Sequence, residues 1–124
     1  IYATTKADGH PWKIALEHPT NRDEAFGVVE IKNESVATSS SNKRRAGKFH
    51  HLLNPETKRQ EESILSVTTL AKKAFLADAG ATAIFVSDKK NWQRIAQMLG
   101  LNYLVVFPDL SYEASANFGL DTVL

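Results

Sequence analysis

The sequence predicts an α+β domain in which a mainly antiparallel sheet packs against a central pair of helices. Segments with the alternating apolar and polar residues of half-buried strands occupy the first part of the chain. A stretch with helical patterning follows over residues 73–99, and apolar strand patterns resume after it. Strands on both sides of a helical pair in the sequence are typical of α+β folds.

The composition is that of one ordinary globular domain. The chain has 124 residues, 43% of them hydrophobic and 23% charged. The net charge of +1 provides no broad basic field, so nucleic acid is not expected as a partner. The absence of Cys excludes disulfides, thiolate metal sites and Cys nucleophiles. Because the chain begins with Ile1 rather than Met, we expect a fragment or a processed chain, whose precursor could carry a signal or lipid anchor.

Strand patterns dominate the first forty residues. Ile1–Thr4 and Trp12–Glu17 are each predicted to be strands, and Phe26–Lys32 is a third. A tight turn at Asn33–Glu34 leads into a further strand at Ser35–Thr38. The short turn between the last two strands predicts that they pair as a hairpin.

The remaining strands flank the helices. Phe49–Pro55 is predicted to be a strand ending in a turn, and Glu56–Glu62 an exposed turn. Ile64–Ala71 is rich in β-branched residues, which favours a buried strand. Asn102–Pro108 is another strand, and Ser111–Phe118 is expected at the sheet edge.

Two helices are predicted in the middle of the chain. The first covers Lys73–Val86, and the second covers Lys89–Leu99, with Ser87 and Asp88 as its cap. Gly100 is a natural C-terminal stop. The second helix is amphipathic, and its apolar face contains Trp92, Ile95, Ala96 and Leu99.

A single carboxylate interrupts the apolar run of the first helix. If Asp78 were buried there, its ionised form would need a cation or several hydrogen-bond donors. Thr82 is four residues further on and shares the same helix face. A carboxylate and a hydroxyl are the oxygen ligands that a hard cation such as Mg²⁺ prefers. Asp78 and Thr82 are therefore candidate metal ligands, and a buried Asp satisfied by backbone N–H groups is the alternative.

Two further features carry candidate chemistry. The basic segment Ser39–Lys48 is either a solvated loop or the border of a phosphate-bearing ligand. Docking of an acidic partner is a weaker alternative. His50 and His51 follow on a predicted strand, where adjacent side chains point to opposite faces. At most one of the two imidazoles therefore faces a given site.

Four segments together resemble one protein family. They are Pro11–Pro19, Ser35–Ser40, His51–Lys58 and Ala77–Ala83. In this order they are similar to the patterns W-x-V-G-I-x-x-P, A-T-S-G, S-H-I-I-D-P-x-T-G and A-D-x-L-A-T-A of the ApbE family, the FAD:protein FMN transferases once described as thiamine biosynthesis lipoproteins. The resemblance implies a T-fold-like architecture, with residues 1–124 as the C-terminal portion of the transferase domain.

The resemblance also implies an activity. Family members use Mg²⁺ to cleave FAD and attach its FMN part through a phosphoester bond to a Thr of a partner flavoprotein, and some hydrolyse FAD to FMN and AMP. Asp78 and Thr82 correspond to the metal ligands of the family. His51 corresponds to the active-site His that helps to activate the acceptor hydroxyl. Thr38 and Ser39, with His51, are expected to bind the FAD substrate.

The resemblance leaves some properties open. It implies a bacterial protein, either anchored to the membrane of the cell envelope through an upstream lipid anchor or cytoplasmic. The chain departs from the family pattern at Ser40, Asn54, Lys58 and Gly80. Lys58 stands where the family has Gly, in a turn expected to favour positive φ. These departures keep a second function open, a non-catalytic or FAD-hydrolysing flavin-binding domain of the same fold.

Overall fold

The computed structural model describes residues 1–41, 53–60 and 62–122. These residues form ten strands and two helices. In chain order the elements are β1 (Tyr2–Ala3), β2 (Trp12–Glu17), β3 (Ala25–Ile31), β4 (Glu34–Ser40), β5 (Leu53–Asn54), β6 (Arg59–Gln60), β7 (Ser66–Ala71), α1 (Ala74–Phe85), α2 (Lys89–Leu99), β8 (Leu101–Val106), β9 (Tyr112–Ala114) and β10 (Asp121–Thr122).

The strands form two main sheets and a small hairpin. The large sheet has the order β1-β4-β7-β8-β9, and the small sheet has the order β10-β3-β2. β5 and β6 pair only with each other. Every pairing is antiparallel, and β9 lies at an edge as expected. The predicted α+β class with an antiparallel sheet and a helical pair is confirmed.

The large sheet is the middle of three layers. One face packs against the two helices and the other against the small sheet, which explains why all six residues of β7 are buried. The helix-side core contains Ile64, Val67, Ala71, Ala77, Ala81, Ile84, Phe85, Trp92, Ala96, Leu101, Tyr103 and Val105. The core between the sheets contains Leu16, Phe26, Val29, Ile31, Val36, Leu70, Leu104, Val106 and Phe118.

The predicted hairpin between β3 and β4 is wrong. β3 pairs with β2 and β10, whereas β4 pairs with β1 and β7. Asn33 adopts a left-handed conformation with φ 51° where the chain passes from one sheet to the other. The two strands face each other across a core instead of lying side by side, which lets Val29 and Ile31 bury against Val36. Removal of this apolar surface from water favours the face-to-face arrangement.

Both predicted helices are confirmed within a residue or two. α2 ends at Gly100, whose φ of 62° is the left-handed C-cap conformation that glycine adopts most readily. The apolar side of α2 faces the sheet, with Trp92 and Ala96 buried. Within the part of the chain that the structure describes, no helix is long and apolar enough to cross a membrane.

The first part of α1 packs closely on the large sheet because small residues line its buried face there. Ala77, Gly80 and Ala81 are buried there. A Cβ atom added at Gly80 would overlap Cδ2 of Leu101, the first residue of β8. The ApbE family pattern has Leu at the position of Gly80. In this chain the side chain of Leu101 lies close to the helix at that position.

We expect Gly80→Leu to lower the free energy of unfolding by about 2 kcal/mol, because it overfills this contact. Leu101→Ala alone should also destabilise, since it leaves a cavity. In the double variant the new Leu fills that cavity, so the combined loss should be smaller than the sum by about 1 kcal/mol. Urea denaturation of the complete protein measures all three values, and additive losses would contradict the proposed contact.

Candidate functional site

The carboxylate and the hydroxyl predicted as metal ligands lie on one face of α1. Asp78 and Thr82 are one helical turn apart, and both are exposed. The buried face of the same helix is formed by Ala77, Gly80 and Ala81, so the two polar residues lie away from the core. The structure therefore brings the predicted pair together.

The alternative of a buried Asp78 satisfied by backbone N–H groups does not hold. Residue 78 is exposed, because Ala77, Gly80 and Ala81 turn towards the sheet while residues 78 and 79 turn away. Among the described residues Asp78 makes no hydrogen bond and no ion pair, so backbone N–H groups do not account for it. The carboxylate is open to a ligand without the cost of desolvating a buried charge.

Two hydroxyls on the large sheet attach α1 to the strands beneath it. Ser39 Oγ on β4 lies 3.1 Å from Thr82 Oγ1, a hydrogen bond in which either atom can be the donor. Thr69 on β7 is fully buried, and its Oγ1 donates to the carbonyl oxygen of Ala77 at 2.6 Å. These two hydrogen bonds attach α1 to the large sheet at Thr82 and at Ala77, the residue before Asp78.

Thr38 and Ser39 point to opposite faces of β4. Thr38 Oγ1 lies 2.9 Å from Thr68 Oγ1 on β7, on the face towards the small sheet. Ser39 lies on the face towards α1. Alternation along a strand requires this separation. Of the three residues expected to bind FAD, these two are adjacent in sequence but are presented to different sides of the sheet.

A cleft of about 420 Å³ lies on the Thr38 side, between the ends of the two sheets. This volume is within the range of small-molecule sites. Hydroxyl groups from three strand residues line one wall, and the turn after β2 lines the other. Its described lining residues are Glu17, His18, Pro19, Thr20, Arg22, Thr38, Ser40 and Ser66.

His18 is a cleft residue that the sequence reasoning missed. Its Nδ1 accepts hydrogen bonds from the backbone N–H groups of Thr20, at 3.3 Å, and Asn21, at 3.2 Å. Because backbone amides can only donate, the neutral imidazole carries its proton on Nε2. The ring also packs against Phe26, with 6.1 Å between centroids. The only available signal was its place in the segment Pro11–Pro19, directly before a Pro.

The β5–β6 hairpin explains two departures from the family pattern. Asn54 is buried, and its Oδ1 accepts from the N–H groups of Glu56, at 2.9 Å, and Thr57, at 3.3 Å. An Asp at this position could accept the same two hydrogen bonds, so Asn54 preserves the turn. Lys58 has φ 56°, which confirms the expected positive φ.

Part of the predicted site lies outside the described residues. His50, His51 and residues 42–48 of the basic segment belong to residues 42–52, which the structure does not describe. The assignments of His51 as a catalytic and a flavin-binding residue therefore stay predictions. The same is true of a phosphate-binding role for the basic segment.

The donors present fit a hard divalent cation. Within residues 1–41, 53–60 and 62–122, no group of three or more His, Asp or Glu side chains could hold a metal ion. Asp78 and Thr82 supply one carboxylate and one hydroxyl. Mg²⁺ usually retains several waters and binds through one or two carboxylates together with substrate phosphates, so a sparse protein set of this kind suits it.

The chain is similar in sequence and in fold to known flavin transferases. A FAD:protein FMN transferase from Rhodobacter capsulatus is 32% identical over 104 residues, which cover 80% of this chain and 20% of that protein. The ApbE protein of Thermotoga maritima has a TM-score of 0.79 and 30% identity, covering 93% of this chain and 39% of that one. The flavin transferase ApbE from Vibrio cholerae has a TM-score of 0.70 at 27% identity, with the same coverages of 93% and 39%.

The sequence profile of the ApbE family matches residues 1–105. The chain belongs to the ApbE family. It spans about a fifth of the Rhodobacter relative and about two fifths of the two solved structures. The family resemblance stated from four sequence segments is thereby confirmed.

We expect Lys58→Gly to raise the free energy of unfolding by about 0.5–1 kcal/mol. A non-glycine residue in the left-handed region costs about 1–2 kcal/mol, and the greater freedom of Gly in the unfolded chain offsets part of the gain. Thermal or urea unfolding of the complete protein measures the change. Lys58→Ala is the control, because it removes the charge but keeps the strained backbone, and it should remain within about 0.5 kcal/mol of the native value. Equal stabilisation by both variants would contradict backbone strain as the cause.

Proposed function

We propose that the protein acts in the Mg²⁺-dependent transfer of FMN from FAD to a threonine of an acceptor flavoprotein. The observation that carries the proposal is the exposed pair Asp78 and Thr82 on α1, in a chain that belongs to the ApbE family. Relatives named FAD:protein FMN transferase support the same reaction class.

Asp78 and Thr82 are the residues that would hold the divalent ion. Their exposure leaves room for a substrate phosphate and for water beside them. When bound, Mg²⁺ would offset the negative charge of the FAD pyrophosphate. The protein's own contribution is positioning, since the Ser39 hydrogen bond to Thr82 and the Thr69 hydrogen bond to Ala77 fix this helix face on the sheet.

The proposed reaction forms one bond and breaks one. The hydroxyl oxygen of the acceptor threonine forms a phosphoester bond with the FMN phosphorus, while the phosphoanhydride bond to AMP breaks and AMP leaves. We assign removal of the hydroxyl proton to His51, because a neutral imidazole is a suitable general base near neutral pH. This assignment depends on the family pattern around His51.

The flavin-binding residues form the third part of the proposal. Thr38 presents its hydroxyl on the cleft side of β4, together with Ser40 and Ser66. Ser39 presents its hydroxyl on the α1 side. Of the two residues expected to bind FAD, Thr38 is therefore the one placed to contact a molecule in the cleft.

FAD hydrolysis, or binding of FAD without turnover, is the second candidate function. It is favoured by Ser40, which is buried at the cleft wall where the family pattern has Gly, and so adds a side chain beside the proposed substrate path. Hydrolysis would release FMN and AMP with no labelled acceptor. Stoichiometric FAD that stays intact in Mg²⁺ would indicate a binding domain.

Asp78→Asn should reduce the rate of FMN transfer by about 100-fold or more, because charge stabilisation by a metal ion is worth several kcal/mol. The assay incubates the complete protein with FAD, Mg²⁺ and an acceptor domain. Intact-mass spectrometry detects covalent FMN on the acceptor, and chromatography detects free FMN and AMP.

Asp88→Asn is the matched control. Asp88 is also an exposed carboxylate, at the N-cap of α2, and Asn is an equally good capping residue there. Its transfer rate should equal that of the native protein. Equal transfer rates for Asp78→Asn and Asp88→Asn would refute the metal-ligand assignment. Release of free FMN by the native protein, with no labelled acceptor, would show FAD hydrolysis instead of FMN transfer.

A further inference from the structure

The hydrogen bond between Ser39 and Thr82 connects the sheet to the proposed metal face of α1. Ser39 Oγ and Thr82 Oγ1 are 3.1 Å apart and 43 positions apart in the chain. The Ser39 side chain is only 9% exposed, whereas Thr82 is exposed. The contact therefore joins a buried hydroxyl to one on the exposed face of α1.

The proton of the Thr82 hydroxyl determines what this contact can do. A hydroxyl has one hydrogen and two lone pairs, and it binds a cation through a lone pair. Its hydrogen must then be donated elsewhere, and Ser39 Oγ is within hydrogen-bond distance. With Thr82 as the donor, its lone pairs remain available to a cation.

Loss of the Ser39 hydroxyl would leave Thr82 with a competing partner on its own helix. Threonine side chains in helices often donate to the carbonyl oxygen of the preceding turn, which for Thr82 belongs to Asp78. This alternative uses a different χ1 rotamer, so the oxygen would no longer be presented in the same direction. The hydrogen bond to Ser39 favours the rotamer of Thr82 that does not donate to the Asp78 carbonyl oxygen.

We propose that Ser39 is a positioning residue that orients the Thr82 hydroxyl for the divalent ion, rather than a residue that contacts the flavin. This inference depends on the metal site of the proposed function. It separates the roles of two neighbouring residues of β4: Thr38 faces the cleft, and Ser39 acts through Thr82. Groups that orient metal ligands typically change metal affinity by about 10–100-fold when they are removed.

The test measures Mn²⁺ binding to the complete protein in the absence of FAD. Mn²⁺ replaces Mg²⁺ because free Mn²⁺ is counted directly by electron paramagnetic resonance. Ser39→Ala should weaken binding by about tenfold, and Ser39→Thr, which keeps the hydroxyl, should restore most of the affinity. Asp78→Asn serves as the variant that lacks a proposed ligand.

Ser35→Ala is a control on the same face of the same strand. Ser35 is fully buried, and its Oγ has no hydrogen-bond partner among the described residues. Removing this hydroxyl should leave Mn²⁺ affinity unchanged. A loss of affinity that is equal in Ser35→Ala and Ser39→Ala would show a general packing effect and would overturn the inference.

A double-mutant cycle tests whether Ser39 acts through Thr82. In a Thr82→Ala background, Ser39→Ala should cause no further loss of Mn²⁺ affinity, because the hydroxyl that it orients is absent. An unchanged tenfold loss in that background would overturn the proposed route. If Ser39→Ala binds Mn²⁺ with the affinity of the native protein while Asp78→Asn does not bind it, the role of Ser39 is refuted and the metal site stands. Absence of Mn²⁺ binding in the native protein would overturn it together with the metal site.

Discussion

The close approach of α1 to the large sheet is the constraint on which the candidate site depends. The helix has no side chain at position 80 and only methyl groups at Ala77 and Ala81, so its backbone lies near β8 and β4. At this separation the short Ser39 hydroxyl on β4 lies 3.1 Å from the hydroxyl of Thr82. A larger residue at position 80 would first meet the side chain of Leu101. The small residues of α1 thus serve the site as well as the packing.

Burial of the large sheet on both faces decides how its hydroxyl groups are used. A polar group taken from water needs a hydrogen-bond partner. The hydroxyls of β4 and β7 that form hydrogen bonds fall into two separate sets, one on each face of the sheet, whereas the buried Ser35 has no partner among the described residues. Thr69 and Ser39 bond to α1, while Thr38 and Thr68 bond to each other beside the cleft. The same requirement that stabilises the sheet also arranges donors around the proposed substrate.

The sequence specifies local structure well because periodicity and caps are local signals. The boundaries of α2 and its stop at Gly100 follow from spacing and from one left-handed residue. The pairing of β3 with β4 could not be predicted in the same way, because a strand pattern does not say which sheet a strand joins. The sequence left the burial of Asp78 open for a related reason. Helical spacing places it beside Thr82, but only the packing of α1 shows which face is turned away from the sheet. His18 had only the weak signal of its place before Pro19, since its position in the cleft depends on how the two sheets come together.

The alternation along β4 also limits how one substrate can use both halves of the site. Residues 38 and 39 face opposite sides of the large sheet, so a molecule lying on one face cannot contact both hydroxyls from that face. A substrate that reaches α1 and the cleft together must pass around the end of β4, near Ser40. In FAD the pyrophosphate and the flavin ring are different parts of one long molecule. If FAD binds as proposed, the part beside Asp78 and Thr82 would therefore differ from the part beside Thr38, and different layers of the fold would recognise the two parts.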